Sequence, residues 1–313
     1  MNTAQPTGQP PLDVILHGLL ARYRAHVPEV DRVGRAMMDA GIIGNERDIE
    51  NDHIAFRTLG VPHLGIASLE KVFLHHGYQR RDRYEFPQKK VTAYWYSPPA
   101  PRYPRVFISQ LRVPDLSRRA NRIIHSYTDI VAADPVDGLD LDDGPAVVEF
   151  LHRPLWRTPT WADYQQLVAE SEFAGWVIFN RYYLNHFTIA VHNLPAPYND
   201  LAAFNAFLEA RGFTLNDAGG TVKTSADGKL LQSSTVAALV DAQFDNGAGG
   251  VETQPIAGSY VEFAERRVLD EAQALPGGAA RHQRREGFEA ASADKIFEST
   301  FADQTRKRKN AGG

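Results

Sequence analysis

Apolar residues follow two different periods along this chain, and the switches between them mark its elements. Leu12, Ile15, Leu16, Leu19, Leu20 and Tyr23 recur at helical spacing, and Val33, Met37 and Met38 follow after Pro28, which predicts two helices joined near Val27 and Pro28. From residue 46 the period shortens to two. Strands are predicted over 53–59, 78–86, 91–96 and 105–111, with a helix over 65–77 that Gly77 closes. Residues 116–183 lose the alternation: a helix over 116–132 leads into an acidic, Gly- and Pro-punctuated loop (134–145, DPVDGLDLDDGP) and then into aromatic-rich helical stretches around 161–170. The strand–helix order then returns, with strands over 186–192, 230–235 and 259–265 and a helix over 198–212.

This order predicts an α+β fold with two βαβββ modules, inferred from element order because the two halves share little residue identity. Within one structural domain, residues 1–45 form a leader and helices, 46–115 the first module, 116–183 an inserted helical segment and 184–300 the second module. The basic, Gly-ended stretch 301–313 is expected to be a disordered tail.

Composition narrows the chemistry. Of 313 residues 43% are hydrophobic and 23% charged, and the net charge of −4 gives no electrostatic reason to propose nucleic acid or an anionic membrane as a partner. The absence of cysteine removes disulfides, thiolate zinc sites, iron–sulfur clusters and cysteine nucleophiles. A metal site must therefore draw on His, Asp or Glu. No basic, apolar leader opens the sequence and no run of about 18 apolar residues occurs, so the expectation is a cytoplasmic protein.

Three strand-length stretches carry ionisable residues inside apolar runs: 51–60 (NDHIAFRTLG), 185–193 (NHFTIAVHN) and 258–266 (GSYVEFAER). Side chains two apart on a strand share a face, so His53 goes with Ala55 and Arg57, His186 with Thr188 and Ala190, and Glu262 with Tyr260 and Ala264. Two imidazoles and one carboxylate are the ligand set of mononuclear non-haem Fe(II), which leaves coordination positions open for substrate and oxygen. A carboxylate between Val261 and Phe263 is costly to bury unless it is paired or ligates a cation. Other readings stand beside this one. A lone strand histidine is more often a hydrogen-bonded core or surface residue, Glu262 has Arg266 and Arg267 as alternative partners, and His192 shares the predicted face of His186 as a rival ligand, although its nearness to Asn193 and Pro195 points to a strand end instead. His75 and His76 fall at a helix C-terminus, where cations are favoured, and read as structural. His63 follows a proline in a loop and suggests no chemistry. Arg57 lies roughly 13 Å of strand from His53, placed for the far carboxylate of a substrate held at the metal. Gln232, on a predicted interior strand, is a candidate to hydrogen-bond substrate or a ligand.

The HxxxR of His53 and Arg57, the strand opening NHFTI at Asn185, YVEF at 260–263 and FEAASADKIFEST at 288–300 together resemble the 2-oxoadipate dioxygenase/decarboxylase family, once defined only by a domain of unknown function. The resemblance covers about residues 50–300. It implies a vicinal-oxygen-chelate-like core in which two βαβββ modules form a metal-enclosing half-barrel, with His53, His186 and Glu262 holding Fe(II). It also implies that Arg57 grips a substrate carboxylate and that Ser292, with the backbone at Ala291, contacts substrate. The implied reaction converts 2-oxoadipate and O₂ to 2-hydroxyglutarate and CO₂, as in lysine degradation. The competing classes are another metal-dependent enzyme of the same core, whether ring-cleaving dioxygenase, isomerase or lyase, and a metal-free small-molecule-binding module.

Overall fold

A computed structural model describes residues 9–270 and 283–311 of the chain. Its centre is an eight-stranded sheet of order β2-β3-β4-β1-β5-β10-β7-β6. The first module supplies β1 (Asn51–Leu59), α3 (Ile66–His75), β2 (Gln79–Phe86), β3 (Val91–Ser97) and β4 (Arg105–Leu111). The second supplies β5 (Leu184–Ala190), α8 (Leu201–Ala210), β6 (Lys223–Thr224), β7 (Leu230–Ser234) and β10 (Tyr260–Arg266). In each module the opening strand pairs in parallel with the closing one, β1 with β4 and β5 with β10, and the modules join where β1 and β5 run antiparallel. β1 and β5 are therefore flanked on both sides, and every residue of β5 and β10 is buried. Polar side chains on these central strands are thus held away from bulk solvent.

Around the sheet pack α1 (Pro11–His26) and α2 (Pro28–Asp39), joined at Val27 as expected, and the inserted helices α4 (Arg118–Thr128), α5 (Gly144–His152), α6 (Trp161–Glu170) and α7 (Glu172–Asn180). α7 (EFAGWVIFN) is apolar almost all round and is buried accordingly. α9 (Ala290–Phe297) packs against the sheet on the face that carries Gln232 and the metal-ligand candidates, its Ala293, Ile296 and Phe297 reaching the cavity beside them.

Three expectations are corrected. Residues 239–257, left unassigned by periodicity, form a hairpin of β8 (Leu239–Asp245) and β9 (Val251–Ala257) in a sheet of its own. Its Phe244 packs edge-on against Trp161 and Tyr164 of α6, and the Asn246 side chain accepts from the N–H of Ala248 and Gly250 to form the turn. The tail is helix α10 (Ala302–Ala311), not a disordered end. Its sequence has no apolar stripe; polar contacts to distant parts of the chain order it, Gln304 with Asp217 and Arg308 with both Glu29 and the Val236 carbonyl. The strand predicted to reach His192 ends at Ala190, and residues Val191–Asn193 turn in a 3₁₀ helix. Of the predicted leader, residues 1–8 lie outside the described residues, and α1 begins at Pro11.

Candidate metal centre

His53 on β1, His186 on β5 and Glu262 on β10 converge, with their donor atoms all within 4.8 Å of one another and all three residues buried. Strand register explains why. Ala55 faces His186, His186 faces Tyr260, and Thr188 faces both His53 and Glu262, so the three side chains leave neighbouring strands on one face. Glu262 Oε2 lies 3.1 Å from His186 Nε2 and Oε1 lies 3.4 Å from His53 Nε2. Thr188 Oγ1 is 3.0 Å from His53 Nε2, and Gln232 Nε2 donates to Glu262 Oε1 at 2.7 Å. Gln232 thus meets Glu262, one of the candidate ligands.

Each imidazole is oriented from behind by the residue just before it. His53 Nδ1 meets Asp52 Oδ1 at 2.8 Å and His186 Nδ1 meets Asn185 Oδ1 at 3.1 Å. These contacts turn both Nε2 atoms toward Glu262, the way ligating histidines are held by their other ring nitrogen. Sequence reasoning missed both orienting residues, although the dipeptides Asp-His and Asn-His were their signal. Asp52 is itself clamped, accepting from Arg266 Nε and Nη2 at 2.7 and 2.9 Å and from Arg105 Nη1 at 3.2 Å.

The charges suit a cation. Burial pushes His186 down to about 3 against the pull of Glu262, so its ring is neutral. Burial alone would raise Glu262, but His186 and His53, with the Gln232 hydrogen bond, outweigh it and keep the carboxylate ionised below its ordinary range. Burial disfavours the His53 imidazolium as well, yet Glu262 and Asp52 together raise its pKa. A neutral His186 ring that donates its Nδ1–H to Asn185 turns a lone pair toward an ionised carboxylate 3.1 Å away. Those two electron-rich groups repel unless a cation lies between them, and two imidazoles with one carboxylate are the donors a divalent transition metal takes. The residues present fit the metal.

His192 is not part of this cluster: its Nδ1 accepts the backbone N–H of Arg266 at 3.2 Å. The cavity beside the ligands is lined by Phe107, Phe288, Ala293, Ile296 and Phe297, together with Gln232. On α9 Ser292 is buried, Ala291 is exposed and Ala293 lines the cavity. A helix places every third or fourth residue on one face, so 293, 296 and 297 turn inward together and 291 does not. Arg57 is 1% exposed and donates to Thr300 Oγ1 at 2.8 Å and to the Phe297 carbonyl at 2.9 Å. Phe173, Trp176 and Phe297 pack round its guanidinium, and Nε has no partner.

Solved structures share this frame. A protein assigned to the glyoxalase superfamily, from Ralstonia eutropha JMP134, superposes with a TM-score of 0.68 at 22% identity over 92% of this chain and 89% of its own. The fold is of the vicinal-oxygen-chelate kind, and its buried two-His, one-carboxylate cluster is one that could hold a metal ion. The sequence model of the 2-oxoadipate dioxygenase/decarboxylase family matches residues 15–275, and the chain belongs to that family. A chloroplastic 2-oxoadipate dioxygenase/decarboxylase of Arabidopsis thaliana is 41% identical over 269 residues, 82% of this chain and 70% of that protein. The hydroxyglutarate synthase of Oryza sativa, crystallised with 2-oxoadipate, superposes with a TM-score of 0.84 at 37% identity and covers 97% of this chain and 96% of its own. The plant relative carries a plastid name, which overturns the cytoplasmic assignment. Among the described residues no helix is long and apolar enough to cross a membrane.

Proposed function

We propose that the chain converts 2-oxoadipate and O₂ to 2-hydroxyglutarate and CO₂ with Fe(II) held by His53, His186 and Glu262. The observation that carries this reading is the pairing of a buried two-His, one-carboxylate cluster with a buried arginine whose hydrogen-bond partners are all neutral. When bound, the ion supplies a template on which a 2-oxo acid and oxygen meet, because three protein donors leave coordination positions free.

The chain's own residues do the rest. Arg57 takes the distal carboxylate of the diacid, and the aromatic rings around it exclude water and strengthen that ion pair. Asp52 and Asn185 fix the two rings, and Gln232 fixes the Glu262 carboxylate through its Oε1. Ser292, buried on α9, contacts substrate. The cavity is about 20 Å³, room for about one water, so a six-carbon diacid enters only as Phe297 and its neighbours on α9 yield.

Atoms balance without a second co-substrate: both oxygen atoms of O₂ are accounted for between 2-hydroxyglutarate and CO₂. Anaerobic loading with Fe(II), followed by 2-oxoadipate and O₂, should yield one CO₂ and one 2-hydroxyglutarate per O₂ consumed. No oxygen uptake would favour a redox-neutral isomerase or lyase. Glu262→Gln should lose bound iron and activity together, and full metal occupancy in that variant would reject Glu262 as a ligand.

A further inference from the structure

A second group of metal-ligating side chains lies on the outer surface, where the end of α3 meets the acidic loop before α5. His75 Nε2 lies 2.9 Å from Asp142 Oδ1, and the His75 and His76 rings stand edge to face with centroids 5.0 Å apart. The donor atoms of His75, His76 and Asp142 all fall within 4.8 Å of one another. An ion pair at a helix C-terminus accounts for His75 with Asp142. It leaves one nitrogen of the His76 ring unexplained, because Nε2 is buried and has no hydrogen-bond partner.

The loop is built to present its acid there. The Asp142 N–H is donated to Asp140 Oδ1 at 3.0 Å, Asp143 Oδ1 caps α5 by accepting from Ala146 N, and the Leu141 backbone lies against the His76 ring. Lys71 on α3 pairs with Asp134 and Asp137 of the same loop, so these two acids have a cation of their own. We propose that His75, His76 and Asp142 form a second divalent-metal site suited to Zn(II), which clips the C-terminal end of α3 to the inserted segment. Two imidazoles and a carboxylate with water in the fourth position are an ordinary zinc donor set, and the dication also meets the negative end of the α3 dipole. The site differs from the buried one in exposure: the His75 and Asp142 side chains are 40% and 72% exposed, so its metal exchanges with solvent.

The test counts Zn(II) bound to the metal-free, full-length chain by equilibrium dialysis and elemental analysis. The wild type should hold two ions per chain, Asp142→Asn and His76→Ala one each, Glu262→Gln one, and the Glu262→Gln, Asp142→Asn double variant none. Asp142→Asn is the decisive single change because its exposed side chain is not needed for folding. Zn(II) should raise the Tm of Glu262→Gln and leave that of the double variant unmoved. The Fe(II)-loaded Asp142→Asn enzyme should keep wild-type oxygen uptake with 2-oxoadipate. One ion in the wild type, or a count in Asp142→Asn equal to the wild type's, would overturn the proposal.

Discussion

Arg266 and Arg57 are both 1% exposed and both come from central strands that carry metal-ligand candidates, yet their surroundings are opposite. Around Arg266 the charges close on themselves. Asp52 takes its Nε and Nη2, the Arg285 and Gly287 carbonyls take Nη1, and Asp52 also serves Arg105, whose remaining donors go to Glu286. Around Arg57 there is a hydroxyl, a carbonyl and three aromatic rings. Burial lowers the Arg57 pKa to about 10, which still leaves it charged at neutral pH. An ion pair that is complete before any ligand arrives belongs to the frame. Glu172 acts on Arg57 only at a distance, its carboxylate taken by the Ala302 N–H. A buried cation with only neutral hydrogen-bond partners thus bears most of its desolvation cost without a direct counter-ion, and an incoming carboxylate is the group that offsets it.

The largest effect should come from breaking the complete end. Asp52→Ala leaves Arg266 and Arg105 buried without their shared carboxylate, which costs about 3–5 kcal/mol. Denaturant unfolding should show that loss, and the freed His53 ring should weaken metal binding in the same variant. A stability within about 1 kcal/mol of wild type would mean that the arginines find other partners. Arg57→Met should do the reverse: stability changes little, because the lost hydrogen bonds are offset by the relief of a buried charge. Its kcat/KM for 2-oxoadipate should fall roughly 10- to 150-fold, the equivalent of about 1.5–3 kcal/mol, chiefly through KM. A 2-oxo monocarboxylic acid of the same length should be nearly unaffected. Equal losses on both substrates would sink the role assigned to Arg57.

The two ends were not equally legible in the sequence. His53, His186 and Glu262 stood out because each is an ionisable residue at an alternate position of an otherwise apolar strand, and β1, β5 and β10 deliver them as period two demands. Arg57 was legible as an inward residue, but not its enclosure, since Phe173 and Phe297 belong to helices whose packing no local pattern encodes. Asp52 was invisible for a different reason. Neighbours on a regular strand point to opposite faces, whereas the β1–β5 pairing shifts register between Asn51 and His53, and Asp52 bonds the ring of the residue beside it. For His192 two signals competed: alternation runs on through Val191, while Asn193 and Pro195 mark a strand end, and the backbone leaves the sheet at Ala190. The β8–β9 hairpin and α10 were lost because their order comes from contacts distant in sequence, not from a stripe of their own.

His192 offers the finest test, because it sits at the complete end and shares that end's charges. Burial pushes its pKa down to about 4, with Asp52 opposing and Arg284 and Arg266 adding to the fall. Its Nδ1 lies 3.2 Å from the Arg266 backbone nitrogen and 3.3 Å from the Ala264 carbonyl oxygen, so protonation of that ring nitrogen would trade the first bond for the second. The unfolded chain takes up this proton near pH 6.5 and the folded chain only near 4. Between those values the unfolded state binds more protons, so stability falls as the pH falls, while above about 6.5 this residue contributes no slope. His192→Gln should remove close to one proton from the stability slope between about pH 6.5 and 4, read from denaturation midpoints across that window. His152, lowered to about 4 by burial and by Arg22 and His26, lies away from Asp52 and provides the comparison. His152→Gln should flatten the slope by a similar amount. In an Asp52→Asn background the contribution of His192 should grow, because the larger of the two groups resisting its depression is gone and only the Ala264 carbonyl remains, whereas that of His152 should stay the same. An unchanged His192 contribution there would detach it from the charge network around Arg266.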